Sequence, residues 1–181
     1  MDSPPSSRAQ QDLIALLQRA HAGELAAARA YRGHAASWWA RRERAEIEAI
    51  EADEWRHRAE VGEMLQQLGG RPQAAREALL WSIGSSIGLL CHLGGWLIPM
   101  FGAGLLERAN FEEYEHAARL AREAGMPQLA EPLLAMAETE WDHEAWFRAR
   151  VVEHPMGRRL PLWQQLPARE SIRSRYQALA N

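Results

Sequence analysis

The 181-residue sequence has no lysine, a single cysteine, and no proline between residue 6 and residue 71. Each shortage excludes something. Cys91 alone allows neither an intramolecular disulfide nor a cysteine-built zinc site, which suits a reducing compartment. The 21 basic residues, all arginine, face 24 acidic ones, and a formal charge of -3 gives no reason to expect a nucleic-acid partner. The arginine bias looks like genomic base composition and carries little functional weight. The proline gap, with few β-branched residues and much Ala, Leu, Glu and Arg, predicts helix. The opening stretch MDSPPSSRAQ lacks the apolar core of a secretory signal, so residues 1–10 read as a disordered tail.

Against that background, four long helices are expected, each with an apolar stripe interrupted by acid. From about Gln11 to Trp39 the stripe runs Leu13, Leu17, Glu24, Tyr31 and Trp38. From about Arg42 to Leu68 it runs Ile47, Ile50, Glu54, His57, Val61, Leu65 and Leu68, closed by Gly69, Gly70 and Pro72. A third helix, ending near Gly125, carries Gly104, Glu107, Phe111, Tyr114 and Ala118 on one side. The fourth, from about Pro127 to Val152, shows Leu129, Leu133, Met136, Glu140, His143, Phe147 and Val151.

With 20 glutamates and 7 histidines, roughly one Glu-x-x-His is expected by chance, and the chain has three. Glu113 with His116 falls on a charged helical face and reads as a solvated decoy. The other two interrupt apolar stripes and belong to matched halves. Tyr31 follows Glu24 by seven residues, as Tyr114 follows Glu107, and each half then supplies its own Glu-x-x-His. The pattern is that of a duplicated two-helix unit.

One Glu from each of two helices and Glu-x-x-His from each of the other two would deliver four carboxylates and two imidazoles into a bundle interior, a donor set for two hard or borderline metal ions. Spacing i, i+3 puts both donors of each motif on one helical face. Four buried carboxylates without metal would be very unfavourable or would have to protonate. The alternative, glutamates paired with arginines in a plain helical bundle, does not explain six residues in register on two matched halves.

Residues 78–106 lack charged side chains apart from His92 if it is protonated, and their 29 residues exceed the roughly 20 needed to span a bilayer. Glycines and Pro99 divide this segment, and a four-helix bundle made of two hairpins can take one long crossover between its second and third helices. A crossover helix from about Gln73 to Leu93 is therefore expected, with an exposed apolar face.

The stretches RAHAGELAAARAYRGH, EADEWRHRAEVGEML, ALLWSIGSSIG, LLERANFEEYEHAARLA and ETEWDHEAWF resemble the demethoxyubiquinone hydroxylases, over about residues 12–152. That resemblance implies an all-α, ferritin-like four-helix bundle over residues 11–152, with a linker and short C-terminal helix over 153–181. It implies two iron ions held by Glu24, Glu54, His57, Glu107, Glu140 and His143, with Tyr31 and Tyr114 near enough to hydrogen-bond a ligand or bound oxygen, although either tyrosine could be a plain core aromatic. Asp53 could orient a ligating imidazole or be a surface charge. The implied activity is O2-dependent hydroxylation of a quinone-like polyprenyl lipid, with electrons from NADH or a reductase. A rubrerythrin-type bundle that handles iron or peroxide is the alternative.

The implied setting is cytoplasmic and peripheral on the inner face of the cell membrane, with Trp81 and Trp96 suited to the interface and a homodimer or a lipid-presenting protein as partner. The sequence departs from the family after Val152, around LLCHLGGW, and at His34, where the family has glutamine.

Overall fold

In a computed structural model the chain is an all-α, ferritin-like bundle, and the structure describes residues 8–160 and 164–178. Its helices are α1 (Arg8–Ala36), α2 (Arg44–Gln67), α3 (Ala74–Leu90), α4 (Leu97–Glu123), α5 (Ala130–Glu153) and α6 (Ser171–Ala178). Helices α1 and α2 pack as one hairpin and α4 and α5 as the other, while α1 also touches α4 across the bundle and carries the crossover helix α3 on its outer side. The first helix starts at Arg8, three residues ahead of the expected Gln11; the rest of the expected N-terminal tail, residues 1–7, lies outside the described residues.

Glycine sets the ends of two bundle helices. Past α2, Gly69 takes φ +73° and its N–H bonds Gln66 O, while Gly70 N bonds Leu65 O at 2.7 Å. Past α4, Gly125 repeats that geometry, and Met126 N bonds Ala121 O. Both are Schellman closures, in which a left-handed residue turns the chain back and satisfies the last carbonyls. No such signal ends α1. It stops at Ala36 rather than Trp39, so Trp38, expected on the buried stripe, stands in the turn 69% exposed with the Arg41 guanidinium 4.3 Å from its ring centre. That corrects the stripe beyond residue 36.

Two apolar clusters fill the bundle. One gathers Leu13, Leu17, Val61, Leu65, Tyr114 and Leu133, and the other Tyr31, Ile47, Ile50, Met100, Phe147 and Val151. Along every bundle helix the interrupting glutamate falls between a residue of one cluster and a residue of the other. Glu24 lies between Leu17 and Tyr31, Glu54 between Ile50 and Val61, Glu107 between Ala103 and Tyr114, and Glu140 between Ala137 and Phe147. The sequence pattern thus yields a polar layer closed above and below by hydrocarbon.

The crossover helix reaches α1 by dispensing with side chains. A Cβ on Gly84 would stand 2.2 Å from Ala26 O, and one on Gly33 of α1 would stand 2.4 Å from the Gly88 Cα. Past its first turn and away from that seam α3 carries no charged side chain, and Ser82, Ser85 and Ser86 return their hydroxyls to carbonyls one turn back at 2.7–2.9 Å. Leu79, Ile87, Leu90, Leu93 and, on α4, Ile98 are exposed. The 78–106 segment breaks at residues 91–96, and no helix among the described residues is long and apolar enough to cross a membrane.

The C-terminal segment folds back on the second hairpin. Ile172 of α6 is fully buried, and Arg173 pairs with Glu138 and Glu131, as Arg175 does with Glu115.

Candidate metal centre

The polar layer brings together all six of the expected side chains. Glu24, Glu54, His57 and Glu140 form one group, and Glu54, Glu107, Glu140 and His143 a second; within each, one donor atom per residue lies within 4.8 Å of all the others. Glu54 and Glu140 belong to both. The four carboxylates are 0–3% exposed, and the imidazoles are buried beside them.

Contacts inside the layer are close but not aligned as hydrogen bonds. His57 Nδ1 stands 2.8 Å from Glu140 Oε1, and His143 Nδ1 stands 3.7 Å from Glu54 Oε1 and from Glu140 Oε2. Within the layer seven buried donor or acceptor atoms lack a hydrogen-bond partner among the described residues: Glu24 Oε2, both oxygens of Glu54 and of Glu140, and Nδ1 of His57 and His143. Buried polar groups are otherwise almost always paired, so such a concentration of orphans fits a cation pair that would take their lone pairs. Four carboxylates against two dipositive ions also give a neutral core, the arrangement a sealed apolar bundle tolerates best.

Electrostatics shows what the layer is like without that charge. Burial, reinforced by neighbouring carboxylates, pushes Glu54 and Glu107 well above the ordinary carboxylate range, and burial raises Glu24 despite a hydrogen bond from Tyr114. Glu140 goes the other way: burial opposes its charge, but the close approach of Glu107, His143 and His57 outweighs burial and holds it below the usual range. For His143 burial works against protonation, yet Asp53 and Glu140 prevail and raise it to about 9. One carboxylate of the four is thus held down beside the two imidazoles, while burial and mutual repulsion shift the other three up.

Around the six, the tyrosines cross over. Tyr31 donates its hydroxyl to Glu107 Oε1, and Tyr114 donates to Glu24 Oε1, each reaching into the opposite hairpin rather than to the glutamate seven residues before it. Burial raises both phenols well above their ordinary value, so they stay protonated donors. Asp53 Oδ2 lies 3.1 Å from His143 Nε2, which leaves Nδ1 facing the carboxylates. His116, the decoy, is exposed, and Glu113 is 3.7 Å from Arg19.

Sequence reasoning missed several partners. Asn110 Nδ2 approaches Glu107 Oε2 at 3.4 Å, one turn along α4, a spacing that could have been read. Glu144 is fully buried one turn past Glu140 and is met by Arg148 Nη2 at 2.6 Å, again an i, i+4 signal present in the chain. His21, three residues before Glu24, points elsewhere: its Nδ1 lies 2.8 Å from Glu77 Oε1, and Arg58 Nη2 lies 2.7 Å from Glu77 Oε2. That trio ties α1 and α2 to the start of the crossover helix, a tertiary contact that helical periodicity does not reveal.

Beside the layer, α1, α3 and α4 enclose an apolar cavity of about 690 Å³ that runs from Tyr31 and Ala103 to Leu93 and Ile98. Its inner end therefore touches the residue that holds Glu107, and its outer end lies among exposed side chains. A second cavity of about 510 Å³, lined by Trp38, Trp39, Trp96 and three arginines, touches none of the six.

The family model described as ubiquinone biosynthesis protein COQ7 matches residues 11–101, half of the chain. The matched stretch contains Glu24, Glu54, His57, the crossover helix and most of the cavity wall; Glu107, Glu140 and His143 follow it and join the cluster by geometry. Neither the curated proteins nor the solved structures gave a match. By that stretch, and by the bundle built around it, the chain belongs to the COQ7 family, the hydroxylases of ubiquinone biosynthesis.

Proposed function

We propose that the chain is a di-iron, O2-dependent monooxygenase that hydroxylates the ring of a quinone- or quinol-like polyprenyl lipid. The observation that carries this reading is the sharing of Glu54 and Glu140 between two donor groups, next to an apolar cavity whose wall includes Tyr31, the residue bonded to Glu107. Glu24 and His57 would hold one iron, Glu107 and His143 the other, and Glu54 and Glu140 both. Bound as iron(II), the pair supplies the electrons that activate O2 for attack on a ring carbon.

The chain's own residues do the rest. The two tyrosine hydroxyls fix the carboxylates of Glu107 and Glu24 from opposite hairpins, and their protons stay in place because the phenols are buried next to acid. Asp53 fixes the ring of His143 through Nε2, so its lone pair on Nδ1 is directed inward. The two apolar clusters keep water from the layer at both ends, which strengthens each electrostatic contact inside it. The cavity admits a planar ring from the α3 side and leaves an apolar route for a tail past Leu93 and Ile98.

That route opens on the exposed apolar face of α3 and the start of α4, where the serines have withdrawn their hydroxyls to the backbone. Trp81 is 47% exposed on that face, and Arg29 stacks on its ring at 4.4 Å, an aromatic and basic pairing suited to a lipid interface. The face therefore supports peripheral docking on the inner side of the cell membrane, from which the substrate would enter. Electrons would come from NADH or a reductase.

Incubation of the iron(II)-loaded protein with a short-chain methoxyquinol under ¹⁸O2 tests the reading. One labelled oxygen should enter the ring. Unlabelled product, or rapid oxidation of the centre by peroxide with no ring product, would instead favour a rubrerythrin-type role.

A further inference from the structure

The cavity contains one polar group that the hydroxylation chemistry leaves unused. Among the side chains lining it, Tyr31, His34 and Cys91 are the polar ones. The Tyr31 hydroxyl is committed to Glu107, and the Cys91 thiol, raised by burial, is a weakly polar group near the outer end. His34 is 3% exposed, and its imidazole hydrogen-bonds to no side chain or backbone group of the described residues; burial alone sets its behaviour.

An imidazole that lines an apolar cavity without a protein partner is available to a molecule in that cavity. Its position is also fixed. The adjacent Gly33 rests on the Gly88 backbone of the crossover helix, so α1 cannot roll at this point without lifting α3. His34 follows Tyr31 by three residues on α1, a rise of roughly 4.5 Å at about 1.5 Å per residue, so it stands about one helical turn from the residue whose hydroxyl marks the glutamate layer.

We infer that His34 is the polar contact that seats the substrate's ring, hydrogen-bonding one ring oxygen so that the opposite edge of the ring faces the layer beyond Tyr31. The inference rests on the quinone-like substrate class proposed above. Burial lowers the imidazolium to about 4, so the ring is neutral near pH 7 and carries one N–H donor and one acceptor nitrogen. It can donate to a quinone carbonyl or accept from a quinol hydroxyl, and so serves either redox state of the ring. The rest of the wall, Leu, Ile, Ala, Gly and Pro99, discriminates only by shape.

Binding of two probes to the iron-loaded protein in detergent, followed by tryptophan quenching, tests this. One probe is a short-chain prenylated methoxybenzoquinone; the other is the matching prenylbenzene without ring oxygens. Wild type should prefer the quinone, His34→Leu should lose about three- to tenfold for the quinone alone, and His34→Gln, which keeps a donor and an acceptor, should stay near wild type. Iron content should be unchanged in both variants. Equal weakening for both probes, no weakening in His34→Leu, or a loss in His34→Gln as large as that in His34→Leu would overturn the role of His34. Should His34→Leu lose its helical signal, His34→Gln decides alone: quinone affinity within twofold of wild type supports the role, and a larger loss overturns it. Wild type that binds neither probe overturns the substrate class and this inference together, whereas binding without discrimination overturns the inference only.

Discussion

Replacing Glu54 by leucine should stabilise the metal-free protein and destabilise the iron-loaded one. Glu54 is fully buried, and neither carboxylate oxygen has a hydrogen-bond partner. A buried polar group left unsatisfied costs about 1–3 kcal/mol, and leucine is close enough in volume to refill the site. For a chain of this length each kcal/mol shifts Tm by about 2–4 °C, so the metal-free variant should melt roughly 2–12 °C above wild type.

The gain has a pH dependence of known sign. Burial, then the charges of Glu140 and Glu24, raise Glu54 well above the ordinary 4.5. The native state therefore holds the Glu54 proton where the unfolded chain has lost it, and this group lowers stability progressively as pH rises from the unfolded value through the folded one. The advantage of Glu54→Leu should be smallest below about pH 4.5 and grow towards neutrality. Iron(II) reverses the order, because it stabilises only the protein that binds it, by about 2.7 kcal/mol at a hundredfold excess over Kd. The assay is anaerobic thermal unfolding by circular dichroism with and without iron(II), at acid and neutral pH. If the variant melts below wild type with and without iron, the reasoning that Glu54 is an orphan carboxylate awaiting a cation is wrong.

Other expectations follow from the same geometry. Glu24→Ala and Glu107→Ala should each lose about one iron per chain, because each residue belongs to one donor group, whereas Glu140→Ala should lose both; iron analysis after desalting distinguishes these. Tyr31→Phe should keep its iron but lower stability by about 1–3 kcal/mol, since it removes the hydroxyl that satisfies Glu107 Oε1, and denaturant titration would show it. Gly84→Leu should detach α3 from α1, with a Cβ already 2.2 Å from Ala26 O, and lower Tm steeply; Gly102→Ala, with nothing near the added carbon, should raise stability by up to about 1 kcal/mol. Leu93→Asp with Ile98→Asp should abolish flotation with anionic vesicles and leave iron content unchanged.

The four acidic interruptions of apolar stripes were legible because helical periodicity turns a one-dimensional pattern into a face, and a glutamate on such a face is conspicuous. The doubled Tyr spacing identified the hairpin repeat for the same reason. What periodicity cannot encode is which hairpin a side chain reaches: Tyr31 and Tyr114 exchange partners across the bundle, and His21, Arg58 and Glu77 meet from three helices. Helix ends were readable where glycine closes them, at Gly69 and Gly125, and misjudged at Ala36, where no glycine or proline marks the stop and Trp38 went to solvent. The seat of α3 on α1 depended on glycines that the sequence shows only as breaks in an apolar run; their service as contact points between two backbones emerges from packing. The cavity and its buried His34 likewise come from three helices meeting, although the departure at position 34 was visible in the sequence.

The central claim is that six side chains hold two irons through two shared carboxylates, and anaerobic titration of the metal-free chain with iron(II), followed by calorimetry, tests it most directly. The heat should break at two irons per chain in wild type and vanish in the Glu54→Leu, Glu140→Leu double variant. A break at one iron, or a double variant that still binds two, would contradict it.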